Sequence, residues 1–299
     1  MNNILGQFFA VLTALCWVQN SLIYAYVGKK IGSLTVTHIR LWLALPFILL
    51  IHFIFTGSII PIGISVSSLL FLAASGFTGF FIADVFIFRS FVELGARETL
   101  VILTISPIFS AILSWVFLQE ILSLPQISGI IITIAGVIWV IWEEKRGAEK
   151  LEKHQVKGIT FALFGALAQA VGMFLAKGGI NDGIHPVSAN VIRISAGLFG
   201  LIIFAMLRKN FIQDFRKMKN RKLFLLLTSA AVIGPVLGVL LALYALSWAP
   251  VGIVTTLMQI SPVILLPIDY FVFKKKITIG AAAGTVIAIG GAAILFLSN

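Results

Sequence analysis

Charge is what this sequence has least of. Only 11% of its 299 residues are Asp, Glu, Lys or Arg, where a soluble domain carries about 25%. Roughly a quarter of the surface of even a large soluble domain stays in water, and a chain that is 60% hydrophobic, with a mean hydropathy of +1.08, has too little polarity to cover it. Cysteine is nearly missing as well. The lone Cys16 excludes an internal disulfide, and its place in an apolar stretch fits plain packing. The four histidines, His38, His52, His154 and His185, are scattered without ligand spacing, and HExxH does not occur, so neither a metal nor another cofactor is expected. "VGKKIGS" lacks the GxxxxGK[ST] spacing of a phosphate-binding loop, which argues against ATP-driven transport within this chain. The first apolar stretch, from Ile4, has no basic region before it and no clear cleavage site. It is read as a retained span rather than a signal peptide.

What is present is apolar run after apolar run. Taking about 20 residues per crossing, ten spans are predicted: 5–27, 35–56, 66–88, 97–118, 125–142, 158–177, 187–207, 222–245, 250–273 and 277–297. The fold class is therefore an all-α integral membrane protein, and the partner is the lipid bilayer. The net charge of +11 does not point to nucleic acid, because Lys and Arg concentrate in the short breaks between apolar stretches. Nearly all fall in the odd-numbered breaks: Lys29 and Lys30; Arg89 and Arg97; Lys145 to Lys157; Arg208 to Lys222; Lys274 to Lys276. The positive-inside rule then places odd-numbered loops in the cytoplasm and both termini outside, in a multi-pass protein of the cell membrane. In the break after span 7, Phe211, Phe215 and Met218 recur at helical spacing among basic residues. That suggests a short helix on an anionic leaflet, with a solvated loop as the alternative.

The chain also repeats itself. "GQFFAVLTAL" from Gly6 matches "GITFALFGAL" from Gly158, "THIRL" around Arg40 matches "NVIRI" around Arg193, and "ISPIFSAIL" matches "ISPVILLPI". Offsets run from 152 to 155 throughout. Five spans per copy is an odd number, so the second copy enters the membrane inverted, as in secondary transporters with a substrate site near the midplane. The expected division is a first repeat at 1–143, a linker at 144–157 whose glutamates alternate with lysines, and a second repeat at 158–299.

With these motifs in order, namely "CWVQN", "ADVFIFRSFVELGARETLVILTISPIFS", "FLQEILSLPQISGIIITIAGV" and "GPVLGVLLALYALSWAPVGIVTTLMQISPV", the chain resembles the EamA-type family of the drug/metabolite transporter superfamily. The resemblance covers nearly the whole length. It implies a ten-helix secondary transporter that moves a small metabolite or drug, often outward, by an ion gradient or by exchange. The chain departs from the family pattern at "FKKKIT", where an acidic counterpart of Glu120 is usual, and at Val18, where glycine usually follows Trp17.

Asp84, in "GFFIADVFIFR", is the first candidate for chemistry. A carboxylate at the bilayer centre costs about 2.5–3.5 kcal/mol and tends to face the bundle interior, where it serves as a coupling or substrate-contact group with protons as the candidate ion. The alternative is a structural pair with Arg89 or Arg97. Arg40 and Arg193, equivalent by repeat and expected on opposite sides of the membrane, are either gates that attract an anion or snorkelling side chains. Gln19, Asn20, Gln169 and Gln259 are amides deep in apolar runs. They either converge on a cavity, with Trp17 and Trp248 as walls, or bond between helices. The paired bends Ser106–Pro107 and Ser261–Pro262 are expected to shape that cavity. Lys177 is assigned to the interface, Asp269 to the Lys274–Lys276 cluster, and Gly280 and Gly284 to close helix contact within or between chains. Monomer and homodimer both remain open. A membrane enzyme acting on lipids or polyprenyl substrates would need clustered His, Asp or Glu at one face, and a channel or scramblase would need a continuous polar stripe. Neither pattern is present.

Overall fold

The computed structural model describes residues 2–144, 153–180, 183–271, 274 and 278–298. Its described residues form ten helical spans, because in hydrocarbon only a helix satisfies every backbone group within its own segment. Span 1 is Asn2–Ile31 and span 2 Ser33–Thr56. Span 3 runs Val66–Gly76, Phe77–Ala83 and Asp84–Glu93 without a break. Span 4 is Ala96–Ile102, a tight turn at Leu103–Ile105, then Ser106–Leu118. Span 5 is Leu124–Glu144, span 6 Lys153–Ile180 and span 7 Pro186–Leu207. Span 8 runs Arg221–Ala231, Val232–Gly238 and Val239–Trp248. Span 9 is Val251–Met258 followed by Ser261–Phe271, and span 10 is Ile279–Leu297. Spans 1, 2, 3, 6, 7 and 8 hold apolar stretches of 22 to 29 residues, long enough to cross alone.

Contacts follow the repeat. Span 3 packs on span 6 and span 1 on span 8, which are the same pair of repeat positions exchanged; span 2 packs on 7, 4 on 9, and 5 on 10. Each pairing joins one half to the other, as a two-fold axis between two five-span units requires. Small residues let backbones approach. A Cβ on Gly136 of span 5 would meet Ala288 Cα and Gly284 O of span 10, each at 2.8 Å. The close contact expected of Gly284 is therefore made inside one chain.

The break after span 7 forms a helix, Phe211–Arg216, whose aromatic side chains reach span 2. Phe211 and Phe215 lie 5.3 and 5.7 Å from the His38 ring, and Phe215 lies 5.8 Å from Trp42. Beneath them Asp214, 1% exposed, accepts from Thr35 Oγ1 at 2.7 Å, His38 Nδ1 at 3.1 Å and Arg208 Nη2 at 3.3 Å. Trp42 Nε1, which can only donate, reaches His38 Nε2 at 3.1 Å. His38 therefore carries its proton on Nδ1 and is neutral. Burial by itself would raise the Asp214 pKa, but the bonds from His38 and Thr35 and the charge of Arg208 outweigh it and hold the carboxyl below its ordinary value.

Candidate functional site

Halfway along the bundle the regular helices of spans 3 and 8 both widen by one residue per turn, at Phe77–Ala83 and Val232–Gly238. The two π-helical segments occupy equivalent repeat positions, 155 residues apart. Such turns loosen the backbone ladder and recur at functional sites. Pro235 has no N–H to give, and the carbonyl five residues back, that of Ala230, instead accepts from Tyr24 Oη at 3.0 Å. Asn190 Nδ2 donates to the Pro235 and Val236 carbonyls at 2.9 and 3.3 Å, and Thr13 Oγ1 donates to Gly238 O at 3.2 Å. Side chains of spans 1 and 7 thus replace what the π segment gives up.

Between these two segments lies a cavity of about 120 Å³. Gly79, Phe80 and Asp84 line it from span 3, and Gly234, Pro235 and Val239 from span 8. Span 1 adds Trp17, Asn20 and Tyr24; span 6 adds Gln169 and Met173; Leu100 and Leu103 come from span 4. Spans 2 and 7 contribute one residue each, Arg40 and Arg193.

That last pair corrects an expectation. Arg40 and Arg193 enter from opposite ends of the bundle, but neither snorkels outward: they are 4% and 3% exposed and converge on Asp84. The reason is the two-fold arrangement, in which equivalent residues on packed spans 2 and 7 face each other across the axis. Asp84 is ion-paired to Arg40 Nη2, not to Arg89, which pairs instead with Glu93 one turn on at 2.9 Å. The Arg97 side chain lies outside the described residues. The Arg40 guanidinium also sits 4.8, 5.5 and 5.7 Å from the ring centres of Phe88, Phe80 and Tyr24. The Arg193 guanidinium lies 5.3 Å from the Phe80 ring centre and within the field of Asp84, while its Nε and Nη1 are buried without a hydrogen-bond partner among the described residues.

The amides divide. Asn20 and Gln169 line the cavity, each with a buried side-chain oxygen that has no partner. Gln19 and Gln259 do not line it, although their oxygens are also buried and unpartnered. Trp17 is among the lining residues, whereas Trp248 stacks on Phe9 at 5.6 Å, away from the lining. Ser106–Pro107 and Ser261–Pro262 each begin the second helix of a broken span, so the paired bends exist, but the lining stops at Leu103 and takes nothing from span 9. Ser261 Oγ instead donates to Ala14 O at 3.1 Å, tying span 9 to span 1.

At the end of the bundle away from the basic loops, Lys177 is no interface marker. Its Nζ donates to Leu246 O at 2.5 Å and Ala249 O at 3.4 Å and lies 3.6 Å from Glu120 Oε1, while Glu120 Oε2 accepts from Val251 N at 2.9 Å. Spans 4 and 6 are thereby clamped to the turn between spans 8 and 9. Asp269, Lys275 and Lys276 have side chains outside the described residues, as does most of the linker. Sequence reasoning missed both π segments, although Gly79 and Gly234 at the repeat offset, the second followed by proline, were a visible sign of them.

No curated protein matches the sequence. A solved structure described only as "Crystal structure of protein" superposes with a TM-score of 0.72 over 98% of this chain and 96% of its own, at 15% identity, a likeness of fold. The model of the EamA-like transporter family matches twice, over residues 4–142 and 156–297, one match to each five-span half, and the chain belongs to that family.

Proposed function

We propose that the protein is a secondary active transporter in which the two halves rock around the central cavity, exposing it to one side of the membrane and then the other, with export or exchange coupled to an ion gradient. The observation that carries this reading is Asp84, placed between an arginine from each repeat in a cavity that both repeats line. A single carboxylate flanked by two guanidiniums is a two-state element: a change in its partner accompanies relative motion of the halves. Asp84 is the coupling group, and Trp17, Asn20 and Gln169 contact the substrate. The π segments supply bending points, since backbone loosened at matched positions lets each half change shape alike. The Lys177–Glu120 clamp holds one entrance shut.

The test uses a Cys16→Ser, Met173→Cys chain in liposomes, labelled from either face with a membrane-impermeant maleimide. A carrier labels from both faces, and Glu120→Gln raises labelling from the clamp side while lowering it from the basic side. An increase from both faces together would mean a channel. Labelling from one face alone, whatever the variant, would sink the carrier reading.

A further inference from the structure

We infer that the cavity selects a compact organic monoanion whose carboxylate is held by Arg193, in preference to an organic cation or a zwitterion. The inference rests on the carrier reading of the cavity and adds its substrate class. Its first ground is charge. The lining carries Arg40, Arg193 and Asp84, a formal net charge of +1. Arg40 and Asp84 neutralise each other, so the unbalanced charge is that of Arg193. Its Nε and Nη1 have no partner among the described residues although the residue is 3% exposed. A buried guanidinium with idle donors is costly, and a carboxylate offers such donors a charge-assisted acceptor.

The second ground is what the site denies a cation. Rings of Tyr24, Phe80 and Phe88 surround one point of the cavity wall, as a cage for a positively charged ligand would, but the Arg40 guanidinium already fills it. The one carboxylate in the lining among the described residues is paired with that same arginine. A cationic ligand would find no free acceptor charge and would face Arg193.

The third ground concerns the rest of the molecule. Asn20 Oδ1 and Gln169 Oε1 are buried acceptors without donors, which suits a hydroxyl beside the carboxylate. Trp17, Leu103, Met173 and Val239 offer an apolar wall, and a cavity of about 120 Å³ has room for a small organic body. A branched 2-hydroxy acid has all of these features.

The experiment is thermal melting of the purified full chain in detergent with sodium 2-hydroxyisovalerate, valine, tetramethylammonium or added chloride, each at equal concentration and ionic strength. Valine has the same carbon skeleton with an ammonium group in place of the hydroxyl, so it sets the zwitterion against the monoanion at matched size. The hydroxy acid is expected to raise the melting temperature by several degrees and the other three by less. Arg193→Gln should weaken binding of radiolabelled 2-hydroxyisovalerate at least about tenfold, and Arg193→Lys should weaken it less. Equal or greater stabilisation by valine, tetramethylammonium or chloride would overturn the inference, as would no response to the hydroxy acid. These comparisons are made on the unaltered protein, so they stand even if a variant folds poorly. Two-sided labelling at position 173 is a separate measurement, and a carrier that ignores anions would fail here alone.

Discussion

Arg40 on span 2 and Asp84 on span 3 form a partly buried ion pair at the wall of the central cavity, their side chains 5% and 15% exposed. Removing one partner of such a pair strands the other, which costs more than removing both. Arg40→Gln is expected to lower stability by about 3 kcal/mol, read by thermal melting in detergent. The Arg40→Gln/Asp84→Asn double variant should recover more than half of that loss. Strictly additive effects would show that the two side chains act independently.

The contact between spans 5 and 10 leaves no room for a side chain at Gly136, where a Cβ would reach backbone of Ala288 and Gly284 at 2.8 Å. Gly136→Val should cost about 1–3 kcal/mol through forced separation of the helices. A melting curve unchanged from that of the parent would contradict the close approach.

Lys177→Met leaves the Leu246 and Ala249 carbonyls without this donor and the Glu120 carboxylate without its cation. Unsatisfied buried acceptors cost about 1–3 kcal/mol, so the variant should melt earlier, and adding Glu120→Gln should restore part of the loss. A full-strength melt in Lys177→Met would mean that the clamp contributes nothing to the state seen here.

Asp214 gives a prediction with a defined pH window. Its carboxyl is held below its ordinary value in the folded chain, so the folded state binds that proton more weakly than the unfolded state does. The stabilisation is complete above about pH 4 and is lost as pH falls below it. Thermal melting from pH 7 down to about pH 3 should show a drop at the acid end that is smaller in Asp214→Asn. An identical acid profile in the variant would remove Asp214 from the account.

For orientation, the one-sided distribution of Lys and Arg leads us to propose that both termini face outward. A reporter active only outside the cytoplasm, fused to the C-terminus, should be active. Activity of a cytoplasm-only reporter at that position would reverse the topology.

Much of the architecture could be read without coordinates. An apolar run of about 20 residues has few options in a bilayer, so most crossings were visible from hydropathy, while the breaks at Gly95 and Pro250 interrupt it least and leaned on the glycine and the proline. The two halves were visible because "THIRL" and "NVIRI", or "ISPIF" and "ISPVI", keep their order and spacing. Asp84, Trp17, Asn20 and Gln169 stood out because polar or amphipathic groups in hydrocarbon are costly and turn inward.

Tertiary structure decided which of these groups meet. Hydropathy reports depth along a span but not rotation about it, and a π turn adds a residue that rotates everything beyond it by about 100° relative to α-helical counting. The faces of Asp84 and Val239, each just past such a turn, were therefore not countable from the chain. Nor was the meeting of Arg40 with Asp84 and of Asp214 with His38: these pairs are separated by 44 and 176 residues, and only the packing of span on span brings them together. The sequence determined how many spans there are and that they form two copies with the same order of motifs, because those depend on run length, composition and spacing along the chain. Which arginine holds Asp84, and which is left with donors to offer a ligand, depended on the axis between the halves, and that exists only in the folded chain.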